Sequence, residues 1–229
     1  MIALLREAAR GFADLVLPSV CPACHTAAGP GLCAACIALV PRPSDPCRWC
    51  ATPGQGRERR CGACHNRGLA HIRRVSIGCV YRGVVEQLVG DAKAGARPAA
   101  VRALAELLPA PPEPDALAVV PVPAARGRRP GPHLATALAR ALGRRHQVAV
   151  LPLLRTTRIA AEQHRLGLAL RRRNVAELFI SRPAPERVLL VDDLLTSGAT
   201  AIAAATALRA AGAKRIDLVC LARTPRQGE

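Results

Sequence analysis

Apolar residues along this chain fall into two rhythms, short unbroken runs and stretches with helical spacing, and their alternation predicts the fold. Residues 188–191, Val-Leu-Leu-Val, form an unbroken run that stops at Asp192 and Asp193, the pattern of a strand buried on both faces. Residues 199–211 follow, alanine-rich enough to be the next helix. Runs at 75–81, 117–122 and 216–221 predict further strands. Helices are expected near 84–93, 98–108 and 133–145, with Pro109 to Pro114 as a connector. Short apolar segments at 148–154 and 178–180 flank a polar excursion. Strands and helices in this alternation predict an α/β domain with a parallel sheet flanked by helices. Residues 1–17 are apolar, but Arg6, Glu7, Arg10 and Asp14 interrupt them too often for a membrane span, and no plausible signal-peptidase site follows. An amphipathic packing helix stopped by Pro18 is expected there, in a cytoplasmic protein with no membrane partner.

The first seventy residues break this rhythm. Eight cysteines occur as four Cys-x-x-Cys pairs: Cys21/Cys24, Cys33/Cys36, Cys47/Cys50 and Cys61/Cys64. Each such turn offers two sulfurs to one tetrahedral ion, so four pairs make two closed structural zinc sites. The short intervals from Cys24 to Cys33 and from Cys50 to Cys61 favour sequential ribbons over an interleaved pairing. Cys21 to His25 and Cys61 to His65 each match the string of c-type haem attachment. The other two pairs lack the histidine, and the only methionine is Met1. Disulfides would call for an oxidising compartment and are not usually spaced as four knuckles. Cys79 and Cys220 sit within apolar strand-like runs and read as small core residues.

Composition fits two parts, a metal-stapled unit at 1–70 and an α/β domain at 71–229. Few apolar residues lie between the knuckles, so zinc must supply the folding free energy of the first. In the second, aromatic scarcity leaves Val, Leu and Ala to fill the core. The net charge of +17 comes from 31 arginines and two lysines. Thirteen of those arginines, against two acids, fall at 123–182, a segment suited to pyrophosphate or a nucleic-acid backbone unless it simply faces water. One Trp, one Tyr and two Phe are too few for a base-stacking platform.

The candidate chemistry lies where the strand at 188–191 ends. Thr196, Ser197, Gly198, Ala199 and Thr200 can turn backbone N–H groups and hydroxyls around a phosphate at a helix N-terminus, with glycine allowing close approach. Asp192 and Asp193 would accept hydrogen bonds from the vicinal hydroxyls of a sugar. Residues 188–200 resemble the diphosphate-ribose motif of the type I phosphoribosyltransferases, fitting all thirteen positions. That resemblance implies ribose binding by the first half and 5-phosphate binding by the second. Many purine-salvage members carry an Asp where this chain has Thr196, so that base-contacting acid is missing here, and the catalytic residue stays unassigned.

With the cysteine pairs in front, the whole chain resembles the ComF family of competence-associated proteins, a small N-terminal double zinc ribbon followed by a type I phosphoribosyltransferase-like domain. Tyr81-Arg82-Gly83, Asp91-Ala92-Lys93, the Val120-Pro121-Val122-Pro123 strand end, and Gln163-x-x-Leu166 leading to Arg171-x-x-Asn174 agree with that family. Where members carry Arg-Gly-aromatic-Asn-Gln, this chain has Arg129-Pro130-Gly131-Pro132-His133. The resemblance implies binding of phosphoribosyl pyrophosphate with Mg²⁺ and attack of a nucleophile on the anomeric carbon. Lys93 and Arg126 are the candidates for the pyrophosphate end, Lys93 because lysine is so rare here. Two alternatives accompany the transferase reading: a non-catalytic factor handling single-stranded DNA during uptake, and a zinc-ribbon module docking a helicase or recombination protein.

Overall fold

A computed structural model describes residues 20–27, 29, 31–54, 61–64, 67–94, 98–112, 115–116, 118–123, 133–157 and 178–225. The expected N-terminal helix, Arg126, the string 129–132 and the arginines at 171–173 lie outside these residues, as do Gln163, Leu166 and Asn174. Four apolar runs become the strands of one parallel sheet: β1 (Val75–Val80), β2 (Ala118–Pro121), β5 (Arg187–Leu195) and β6 (Arg215–Arg223), in the order β1-β6-β5-β2. The apolar segments at 148–154 and 178–180 do not join it as full strands. They supply a separate antiparallel pair, β3 (Leu154–Thr156) with β4 (Phe179–Ser181), while Val150 makes one parallel bridge to Val119 on the outer side of β2. Sequence alternation within each run cannot say which neighbour a strand takes.

Five helices are described: α1 (Ala34–Ala38), α2 (Val84–Lys93), α3 (Pro98–Glu106), α4 (Leu134–His146) and α5 (Ala199–Ala210). Among the described residues no helix is long and apolar enough to cross a membrane. Both faces of the sheet are covered, as unbroken apolar strands require. Leu189, Val191, Val219 and Leu221 face α2, α3 and α4, whereas Val188, Leu190, Ile216 and Leu218 face α5 and Phe179 of β4. Helix α3 ends two residues earlier than its spacing predicts, because it runs up against β1. The Leu107 carbonyl takes the place that a Cβ on Gly78 would occupy, so only glycine admits this packing. Arg144, Arg145 and His146 close the last turn of α4, where the helix dipole favours positive charge.

The cysteine-rich segment does not stand apart from the sheet. Residues 41–48 run along the outer edge of β1: Val80 N–H donates to the Pro41 carbonyl at 2.8 Å, Arg42 donates to the Gly78 carbonyl at 2.9 Å, and Val75 N–H donates to the Arg48 carbonyl at 2.7 Å. The first cysteine group, with Ala23 and Val40, packs into the cluster holding α2 and α3. The second, with Ala51, Leu69 and Ile72, packs into the cluster holding α5. Just beyond it Arg73 makes a two-pronged bond to Asp217 of β6, at 3.1 and 2.6 Å.

Candidate functional site

The eight cysteines converge in two sets of four. Cys21, Cys24, Cys33 and Cys36 form one and Cys47, Cys50, Cys61 and Cys64 the other, with all sulfurs of a set within 4.8 Å of one another. This is the sequential pairing. Sulfurs are 3.7 Å apart for Cys24 and Cys33, 3.4 Å for Cys50 and Cys61, and 3.6 Å for Cys61 and Cys64. A tetrahedron with Zn–S bonds of about 2.3 Å has edges of roughly 3.8 Å, so both sets have the donors and spacing for a structural zinc ion. The knuckle backbone readies the ligands. Against the opposing effect of burial, N–H groups of Cys24 and Cys33 bring Cys21 down to about 6, and those of Trp49, Cys61 and Cys50 bring Cys47 down to about 7. Burial pushes Cys36 and Cys50 up to about 12, so zinc entry there releases protons. Cys79 and Cys220 are fully buried in β1 and β6, with thiols against the Leu221 and Ala222 carbonyls, and neither belongs to a cysteine set.

The second candidate site lies at the carboxyl edge of the sheet, where β5 passes into α5. Strand β5 extends past Val191 because β6 continues beside it, pairing Asp192 with Cys220, Leu194 with Ala222 and Leu195 with Arg223. The two aspartates therefore occupy successive strand positions, with their carboxylates close enough at the strand end to interact directly. Each carboxylate takes the next backbone N–H, Asp192 Oδ1 from Asp193 at 2.8 Å and Asp193 Oδ1 from Leu194 at 2.9 Å. Lys93, the last residue of α2, places its Nζ 2.6 Å from Asp193 Oδ2. The rare lysine is thus brought to the carboxylate end of the site.

The pair divides its charge. Burial, then repulsion from Asp193, raises Asp192 well above the usual carboxylate range. Burial works the same way on Asp193, but the Lys93 ammonium outweighs it and holds that carboxyl below its ordinary value, with His133 adding to the effect. Asp193 is accordingly the standing negative charge and Asp192 the member that takes up a proton first.

Beyond Leu195 the chain turns through Thr196 and Ser197 to Gly198, the N-cap of α5 in the left-handed region at φ 82°. Thr196, Ser197 and Thr200 are exposed, Ala199 half-buried and Gly198 buried. Ser197 Oγ accepts from Ala199 N–H at 3.3 Å. The first amides of a twelve-residue helix and three hydroxyls thus lie on one turn, donors of the kind that phosphate sites use.

Three further residues at this edge are assigned no site role from the sequence. His133 is the N-cap of α4 and acts electrostatically on Asp193, although it ends the string that departs from the ComF pattern. Leu69 lies against Gly198. Arg223 ends β6, is 2 % exposed, and donates to the Cys50 carbonyl at 3.4 Å. An arginine closing an otherwise apolar run could have drawn attention, whereas nothing in the surroundings of Leu69 could. A cavity of about 540 Å³ beside Arg48, Arg74 and Pro109 to Pro112 opens at the start of β1 and has no part in this edge.

A parallel sheet with paired acids ahead of a glycine turn at a helix start, joined to two cysteine tetrads, defines a zinc-ribbon protein of the phosphoribosyltransferase class. The chain belongs to the phosphoribosyl transferase domain family, whose profile matches residues 113–229, and the profile of the double zinc ribbon domain matches residues 12–65. It is similar along most of its length to proteins called DNA utilization protein YhgH. Identity is 29% over 229 residues to that of Salmonella typhi and 28% over 226 residues to that of Escherichia coli (strain K12), in each case across 92% of this chain and 99% of the relative. This joins the double zinc ribbon and the phosphoribosyltransferase domain in the order that the ComF resemblance implied.

Proposed function

We propose that the protein binds phosphoribosyl pyrophosphate at the carboxyl edge of the sheet and transfers its phosphoribosyl group to an acceptor. The observation that carries this reading is the 196–200 turn at the start of α5, with Thr196, Ser197 and Thr200 exposed, set directly behind a Lys93-paired aspartate. The 5-phosphate would take the amides and hydroxyls of Thr196 to Thr200, where the helix end contributes about half a positive charge. The ribose would lie toward Asp192 and Asp193. Asp193, held ionised, would favour the positive charge that builds on the sugar ring as the anomeric bond breaks. Lys93 would exchange its aspartate partner for a pyrophosphate oxygen, and Arg126 would act at the same end. Mg²⁺ bound with the substrate would offset charge on the departing pyrophosphate. Titration calorimetry with phosphoribosyl pyrophosphate and Mg²⁺ tests binding, and pyrophosphate release against a panel of nucleobases tests transfer. Absence of saturable heat with the zinc-loaded protein would refute the assignment.

A second reading, handling of single-stranded DNA, draws support from the relatives' description as DNA utilization proteins and from the arginine-rich 123–182 segment. Phosphate contacts made by that segment predict DNA binding that weakens steeply with salt and has little sequence preference. If the segment borders the 196–200 turn, DNA and phosphoribosyl pyrophosphate will compete.

A further inference from the structure

The 196–200 turn is braced by the second cysteine set along two routes. In the first, Leu69 fills the space that a side chain at Gly198 would need: a Cβ there would stand 2.7 Å from Leu69 Cδ2 and 3.4 Å from Cδ1. Leu69 is itself fastened to the knuckle, its N–H donating to the Trp49 carbonyl at 3.3 Å, and Gly68 sits tightly against Trp49, which lies between Cys47 and Cys50. In the second route, Arg223 donates to the Cys50 carbonyl at 3.4 Å, Leu195 pairs with Arg223, and Thr224 N–H donates to the Leu195 carbonyl at 3.0 Å. Both routes start at the Cys47/Cys50 knuckle and end on the residues that flank Thr196 and Ser197.

The first cysteine set has no such connection among the described residues. It meets the domain on the other face, where Gln87 donates to the Ala23 carbonyl at 3.0 Å and Gly31 abuts Glu106. That contact reaches α2 well over a turn before Lys93.

We infer that the second zinc module positions the phosphate turn: metal at Cys47, Cys50, Cys61 and Cys64 fixes Leu69, Leu69 fixes Gly198, and the anion affinity of residues 196–200 depends on this set and not on the first. The affinity clause rests on the reading of that turn as a phosphate site; the positional clause does not. Glycine has the widest conformational range of any residue, so a turn built on it needs an external wall to hold one shape. Metal at the second set supplies that wall, because Leu69 is tied through the Trp49 carbonyl to the Cys47/Cys50 knuckle that the metal would hold. Linkage requires the converse effect, tighter equilibrium binding of zinc at the second set when an anion occupies the turn.

The test uses the full zinc-loaded chain. Leu69→Ala keeps all eight cysteines and should retain both metals, speed amide exchange across 196–200 by about tenfold, and weaken phosphoribosyl pyrophosphate by a similar factor, equivalent to roughly 1.4 kcal/mol. Leu69→Met should restore both readings. Leu69→Val should fall between, which keeps the inference testable if the alanine variant melts as a whole. Paired serine substitution of Cys21 and Cys24 should leave exchange at 196–200 within about twofold of the unaltered protein. Unchanged exchange in both Leu69→Ala and Leu69→Val would overturn the inference. Wild-type protein that fails to bind phosphoribosyl pyrophosphate, but whose exchange at 196–200 responds to Leu69, would refute the proposed function and leave the positioning role standing.

Discussion

Gly198→Ala probes the 196–200 turn most directly, because two separate costs act on one methyl group. At φ 82° the backbone is left-handed, a conformation that costs an L-residue about 1–2 kcal/mol. The new Cβ would also lie 2.7 Å from Leu69 Cδ2, well inside the roughly 3.5–4.0 Å of normal carbon contact. Leu69 is only 8 % exposed and must be displaced, an overpacking penalty of about 1–3 kcal/mol. Together these give about 2–5 kcal/mol, or a Tm lowered by roughly 5–20 °C for a chain of this size. A double-mutant cycle separates the two costs. Leu69→Ala alone leaves a cavity, but combined with Gly198→Ala that cavity receives the methyl group, so only the backbone cost should survive in full. Urea unfolding at saturating zinc should therefore find the double variant about 1–3 kcal/mol more stable than the sum of the single effects predicts. Additivity within about 0.5 kcal/mol would mean that Leu69 does not touch the turn, and the packing described above would be wrong.

The cysteine sets predict two zinc ions per chain under reducing conditions, and elemental analysis giving one or none would contradict both tetrads. The two aspartates predict opposite pH effects. Asp192, raised in the folded state, keeps a proton that the unfolded chain loses near about pH 4, so its carboxylate destabilises increasingly as pH rises through that window, and Asp192→Asn should raise Tm at pH 7 but not at pH 4. Asp193, lowered in the folded state, contributes stability that is present above about pH 4 and lost as pH falls through its folded value. Asp193→Asn should accordingly lower Tm at pH 7 by stranding the Lys93 ammonium, at a cost of about 1–3 kcal/mol, and shifts of equal sign in the two variants would disprove the division of charge. Exchanging Arg171, Arg172 and Arg173 together for glutamine should reduce the salt dependence of single-stranded DNA affinity, measured by fluorescence anisotropy; an unchanged slope would remove these residues from any phosphate contact.

Local pattern carried the main elements of the α/β domain. The strands at 75–80 and 215–223 and the helices at 84–93 and 134–146 fall where apolar spacing puts them, and the cysteine intervals sufficed to sort eight ligands into two sets. What escaped was set by partners distant in sequence. Strand β5 continues through Asp192 to Leu195 because Cys220 to Arg223 lie alongside it, and that information resides some thirty residues away. Lys93 stood out by its rarity, and the structure sets it on Asp193. Leu69, an ordinary apolar residue in a ribbon-to-strand connection, acquires its place only when the ribbon folds back onto α5.

The strip formed by residues 41–48 along β1 bears on the order in which the chain is made. Strand β6 follows the other strands of this sheet in sequence but sits between β1 and β5, so β1 must wait for its inner neighbour until residues 215–223 have been made. An apolar strand waiting with both edges bare is an invitation to pair with another chain. Residues 41–48 leave the ribosome before β1 does and, once zinc has shaped the knuckles on either side, offer Val75 and Val80 hydrogen-bond acceptors at once. Metal supply during translation would then determine the yield of folded protein as much as its final stability. Zinc-starved cells should accumulate this chain as aggregate even where the finished protein tolerates chelators.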